Sequence, residues 1–94
     1  MQRYELTAKY DSRASFYGKA RVEEYIEGTG KDATTEYKLI SYSTHVATIL
    51  DGGEEAEVYG LYSNTTTRHI KEFLLQNGFK AENSKQIMAD YGAK

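Results

Sequence analysis

Cysteine is absent from the 94-residue chain, which excludes disulfides, thiolate metal sites and cysteine nucleophiles. Proline is absent too, so no strand loses a ladder N–H to it, as suits an uninterrupted antiparallel meander. Histidine occurs only at 45 and 69, with no His-Glu-x-x-His spacing and no cysteine partner, so the three convergent ligands of a metal site are not expected. No Gly-x-Ser-x-Gly elbow is present, and Gly28-x-Gly30 and Gly52-Gly53 lack the third glycine and the strand-to-helix setting of a nucleotide loop. Neither a cofactor nor an enzymatic activity is therefore expected. No window approaches the roughly 18 apolar residues of a bilayer crossing, and Met1-Gln2-Arg3-Tyr4-Glu5 lacks the apolar core of a secretory signal. Together these two features predict a cytoplasmic protein with no membrane partner.

What remains has room for one core, so residues 1–94 read as a single domain. With 39% hydrophobic and 28% charged residues, the chain is too apolar for a disordered tail and too polar for a membrane protein. Nine Tyr against three Phe predict a thin core rimmed by tyrosines, whose rings bury while their hydroxyls reach water.

Along the chain, residues 3–10 alternate with Tyr4, Leu6, Ala8 and Tyr10 on one face, the period of a half-buried strand, and residues 16–26 repeat the pattern after the polar turn 11–15. Gly18 and Ala20 leave space on the inner face of that second strand for a large group to lie across. Residues 34–50 read as two strands or one bent strand with a kink at Ser43-Thr44. Asp51-Gly52-Gly53-Glu54 signals a hairpin, followed by a strand through Ala56, Val58, Gly60 and Tyr62. The period then changes: Ile70, Phe73, Leu74 and Asn77 predict a helix over 66–77 that Gly78 ends, with Phe79 folding back onto Leu74. A shorter helix begins at Asn83 or Ser84, presents Ile87, Met88 and Tyr91, and stops at Gly92. The fold class that follows is α+β: a four- or five-stranded antiparallel meander with the main helix on one face and a short C-terminal helix.

A net charge of −2 hides strong asymmetry, because residues 1–22 sum to +3, residues 23–63 to −7 and residues 64–94 to +2. Two constellations follow. Glu23, Glu24 and Glu27 end the second strand while Glu54, Glu55 and Glu57 start the last; if those ends adjoin, six carboxylates form a patch suited to a basic groove of a partner protein. Alternatively, Arg13, Tyr17, Lys19 and Arg21 on the first hairpin, with Arg68 and Lys71, offer cations and a ring for nucleic acid. The helix entrance Thr65-Thr66-Thr67-Arg68-His69 reads either as an anion site or as hydroxyls that cap the helix.

Three blocks carry a family likeness: Tyr10-Asp11-Ser12-Arg13-Ala14-Ser15-Phe16-Tyr17-Gly18-Lys19-Ala20, Leu39-Ile40-Ser41-Tyr42-Ser43-Thr44-His45-Val46-Ala47, and Tyr62-Ser63-Asn64-Thr65-Thr66-Thr67-Arg68-His69-Ile70-Lys71-Glu72-Phe73-Leu74. Over roughly residues 4–79 the chain resembles small uncharacterised proteins carried by phages and plasmids of low-GC Gram-positive bacteria. The resemblance implies a mobile genetic element and supplies no catalytic residues. Proteins of that size and setting include anti-CRISPR inhibitors, so the leading expectation is a non-enzymatic module that sterically blocks a basic nucleic-acid-binding groove of a host nuclease complex. The alternative is a nucleic-acid-binding accessory protein of phage or plasmid replication or transcription.

Overall fold

Alternating apolar positions rich in β-branched and aromatic residues produce five strands, β1 (Gln2–Glu5), β2 (Ala20–Glu27), β3 (Thr34–Ser41), β4 (Thr44–Leu50) and β5 (Glu55–Val58). Two helices follow, α1 (Asn64–Gln76) and α2 (Ser84–Tyr91). The computed structural model describes residues 2–11, 16, 18–50, 54–60 and 63–93. The predicted Asp51-Gly52-Gly53 turn, residues 12–15 of the 11–15 connection, Tyr17 and Tyr62 lie outside the described residues. The strands form one antiparallel sheet in the order β1-β2-β3-β4-β5, so the α+β meander is the observed architecture. No helix among the described residues is long and apolar enough to cross a membrane.

Cross-strand pairing sorts the side chains onto two faces, because directly opposed residues point the same way. Tyr4, Val22, Leu39, Ala47 and Val58 form one row, and Glu24, Tyr37, Ile49 and Ala56 lie in the next row on that face. The helices cover this face: Ile70, Phe73 and Leu74 of α1 and Ile87 of α2 close one core with Leu6, Phe16, Val22, Leu39, Ile49 and Val58. Every described tyrosine stays at least partly exposed, as the rim argument requires. No helix among the described residues packs on the other face.

Several boundaries move from their expected positions. The first strand ends at Glu5, although the alternation runs on to Tyr10, because the backbone N–H groups of Tyr10 and Asp11 are held by the Glu72 carboxylate of α1, 2.9 Å from each. The second strand begins at Ala20; Phe16 is in the core ahead of it, and Gly18 sits at φ +73 in the turn and opens no space on the sheet. Residues 34–50 are two strands joined by Tyr42-Ser43, with a bulge between Leu39 and Ile40. Tyr42 takes φ 59, a conformation that disfavours a side chain, and its N–H donates to the Lys19 carbonyl at 2.7 Å. The last strand stops at Val58, and α1 starts at Asn64, two residues early, because the Ser63 hydroxyl accepts from the Thr66 N–H.

The end of α1 follows the expected logic in detail. Phe79 N–H bonds the Leu74 carbonyl and Gly78 N–H bonds that of Leu75, a paired closure that requires Gly78 at φ +85. The added Cβ of Gly78→Ala would meet open space, so the expected loss of about 1 kcal/mol, read from urea midpoints, arises from backbone strain alone. Asn83 caps α2 by accepting from the Gln86 N–H. Beyond α2, Ala93 N–H donates to the Val58 carbonyl at 2.8 Å, and Gly92 bridges Val58 in parallel, so the C-terminal segment lies along β5.

Candidate functional site

The uncovered sheet face is a ladder of charge. One row runs Arg3, Glu23, Lys38, Thr48, Glu57 from β1 to β5, and a second runs Glu5, Arg21, Ile40, His45. Arg3 Nε stands 3.6 Å from Glu23, whose other carboxylate oxygen accepts the Tyr25 hydroxyl at 2.8 Å. That bond to Glu23 raises the Tyr25 hydroxyl's pKa above its ordinary value, and Lys38 lies over the Tyr25 ring, 4.8 Å from its centre. Charges of opposite sign thus neighbour one another from β1 to β3.

At one end the alternation fails. Glu27 closes β2, Glu36 faces Tyr25 on β3, and Glu55 opens β5 opposite Leu50. Tyr25, Glu27, Thr34, Thr35, Glu36 and Leu50 line a shallow cleft of about 160 Å³ there. The two acidic groups expected to adjoin do not: β3 and β4 separate β2 from β5 by about 14 Å at ordinary strand spacing. Glu23 and Glu57 stand in one row with Lys38 and Thr48 between them, Glu24 points to the helix-bearing face opposite Tyr37, and Glu54 precedes β5, exposed. Glu36 is what links Glu27 towards Glu55. Its signal in the sequence is the β3 alternation, which places it outward with Lys38.

The basic constellation is divided. Arg13 and Tyr17 lie outside the described residues. Lys19 is exposed beside the β3–β4 turn, and Arg21 stands on the uncovered face with its Nε buried and no hydrogen-bond partner for that atom among the described residues. Arg68 and Lys71 belong to α1, in the layer on the opposite face. Arg68 grips Asp11 through two contacts, of 2.9 and 2.5 Å. Beside that pair, Tyr10, Asp11, Arg68, Lys71, Glu72 and Leu75 line a cleft of about 220 Å³ whose charges are of both signs.

The helix entrance turns the Thr66 hydroxyl inward, while Thr65 is exposed. Thr66 Oγ1 meets Ser41 Oγ at 3.0 Å, and Ser41 Oγ meets His69 Nδ1 at 2.8 Å. A serine against an imidazole has the atoms of a nucleophile and base, but Ser41 is 2% exposed and His69 1%. Among the described residues no carboxylate bonds the ring of His69. Phe16 packs edge-on at 4.7 Å and Tyr42 lies at 5.9 Å, so the cluster is closed to a substrate and ties α1 to the β3–β4 turn.

Burial lowers the pKa of His69, with Arg68 adding to this and Asp11 opposing it. Protons therefore bind the unfolded histidine more readily, so its contribution to stability is complete above the ordinary value near 6.5 and is lost as pH falls through the lowered folded value. Urea midpoints measured from pH 8 to pH 5 should decline as pH falls below about 6.5, and His69→Gln should flatten that part of the decline. An identical slope in both proteins would remove His69 as its source.

His45, the other histidine, lies on the uncovered face. Its Nε2 meets the Ala47 carbonyl at 3.1 Å and Thr48 Oγ1 at 2.7 Å; Thr48 in turn meets the Tyr59 hydroxyl at 2.7 Å. The rings of His45 and Tyr59 pack edge-on at 5.0 Å, so a half-exposed tyrosine is held in a fixed pose on the β5 side of the face. Nothing in the sequence period marks Thr48 or Tyr59; their meeting depends on the β4–β5 register.

A family model described as "Family of unknown function (DUF8033)" matches residues 4–90. No curated protein and no solved structure matches the chain.

Proposed function

For a chain that belongs to this family of unknown function, we propose a role as a non-enzymatic binding module whose uncovered sheet face docks on a basic surface of a partner protein. One observation carries this reading: Glu27, Glu36 and Glu55 share one end of a sheet face on which no described helix packs, while Tyr25 and Tyr59 are held by hydrogen bonds on that face as contact area. The concrete version is an inhibitor carried by a mobile element, of the anti-CRISPR kind. It would occupy the nucleic-acid groove of a host nuclease complex by bulk and charge and turn over no substrate. The nucleic-acid-binding alternative has less support, since Arg21 lies on the uncovered face whereas Arg68 and Lys71 lie in the helical layer and Arg68 is engaged by Asp11.

Immobilised wild-type protein and the triple variant Glu27→Lys, Glu36→Lys, Glu55→Lys, exposed to the same Gram-positive lysate, provide the test. Wild type should retain a basic protein that the variant loses by a factor of about 100 or more, with unchanged circular dichroism for the variant. Equal retention would refute the acidic end as the docking site. A gel shift with single- and double-stranded DNA at low salt should show no complex at micromolar protein; a complex that weakens steeply with salt would favour the alternative.

A further inference from the structure

The two edges of the sheet are treated differently. β5 is flanked by the C-terminal segment through Ala93 and Gly92, whereas among the described residues no strand pairs with the outer edge of β1. All four residues of β1 are exposed, Tyr4 by 46%. The Leu6 N–H donates to the Ala20 carbonyl, which makes 6/20 a hydrogen-bonded pair and, by alternation, 4/22 and 2/24 as well. The N–H and C=O groups of Arg3 and Glu5 therefore point outward from the free edge. We propose that β1 pairs antiparallel with β1 of a second copy about a two-fold axis at Tyr4, joining two five-stranded sheets into one.

Charge selects that partner and that register. A two-fold axis at Tyr4 sets Arg3 of each chain opposite Glu5 of the other as hydrogen-bonded pairs, so the outward groups of both residues are satisfied in each chain. Centring the axis on Arg3 or on Glu5 instead opposes like charges. The chosen register also continues the ladder of the uncovered face: from Lys38 and Glu23 of one chain through Arg3 to Glu5 and Arg21 of the other, the sign alternates at every strand. A cleft of about 310 Å³ lined by Arg3, Tyr4, Glu5, Gly18 and Arg21 lies where the Arg3 side chain of the second copy would enter. Charged edges ordinarily prevent pairing with foreign strands, and these charges do so for any strand that lacks the complementary order. Four residues a side give a small interface, so the dimer should be weak and reversible.

Sedimentation equilibrium over about 10–500 µM, a range suited to so small an interface, provides the test. Wild type should show a monomer–dimer equilibrium. Arg3→Glu gives a chain with two carboxylates on the edge and Glu5→Arg a chain with two guanidinium groups; each alone should associate about tenfold or more weakly. Mixed in equal amounts, the two should recover wild-type association as a heterodimer, which also shows that both fold. Wild type monomeric throughout, or association of the single variants undiminished, would overturn the proposal, as would a mixture no stronger than its components.

Discussion

Glu72→Ala is expected to remove about 3 kcal/mol of stability, a large part of the roughly 5–14 kcal/mol typical of a chain this long. Glu72 is 1% exposed, yet its carboxylate oxygens are occupied: one accepts the backbone N–H groups of Tyr10 and Asp11, the other the Gln76 side-chain amide at 2.6 Å. Hydrogen bonds to an ionised acceptor are the stronger kind, and here they fasten the β1–β2 connection onto α1 across more than sixty residues of sequence. Gln76 adds a second fastening by donating to the Thr7 carbonyl. Alanine would leave the helix intact and release the connection. The specific readout is hydrogen exchange at Tyr10 and Asp11, which should lose protection beyond what global destabilisation explains. Glu72→Gln keeps the shape and one acceptor, so its loss should be about half as large. A change below about 1 kcal/mol for Glu72→Ala would show that water replaces the carboxylate without loss.

That same side chain marks where the sequence was legible and where it was not. Helix α1 was readable because Ile70, Phe73 and Leu74 share a face and Gly78 supplies the left-handed closure. Helix α2 was readable from its Asn83 cap, and Gly92 ends it for a different reason, since its φ is −57 and a side chain there would collide with the Met88 carbonyl. The meander, too, follows from short connections between alternating segments. Strand ends were less legible, since alternation records which residues prefer one side, and pairing decides where a strand stops. Tyr10 continues the apolar pattern and is nonetheless 63% exposed, because Glu72 draws the backbone away from β2. Likewise Thr66 and His69 occupy inward positions on α1 as polar residues; their partner, Ser41, lies 25 and 28 residues earlier, beyond any local signal. The acidic end was half legible. Composition located the carboxylates in the middle of the chain, but only the strand order shows that β3 and β4 intervene and that Glu36 fills part of the gap.

The register behind that face has its sharpest test on the central strand. Leu39 is fully buried in the row between Val22 and Ala47, and both neighbouring strands are held by their own ladders, so the space left by Leu39→Ala would close poorly. A loss of about 3–4 kcal/mol is expected, near the upper part of the range for such truncations because the surroundings cannot collapse inward. Lys38, one residue away, points to the uncovered face over Tyr25, and Lys38→Ala should change stability by no more than about 0.5 kcal/mol. Its effect belongs to the charge ladder instead: removing the cation between Glu23 and Thr48 extends the acidic end by a row and should strengthen attachment to a basic partner. Leu39→Met, which preserves volume, should lose under about 1.5 kcal/mol and keep partner binding. Urea unfolding of the three variants thus separates the two faces of one strand. If Lys38→Ala destabilised as much as Leu39→Ala, the uncovered face would itself be a second core, and the docking surface would have to lie elsewhere.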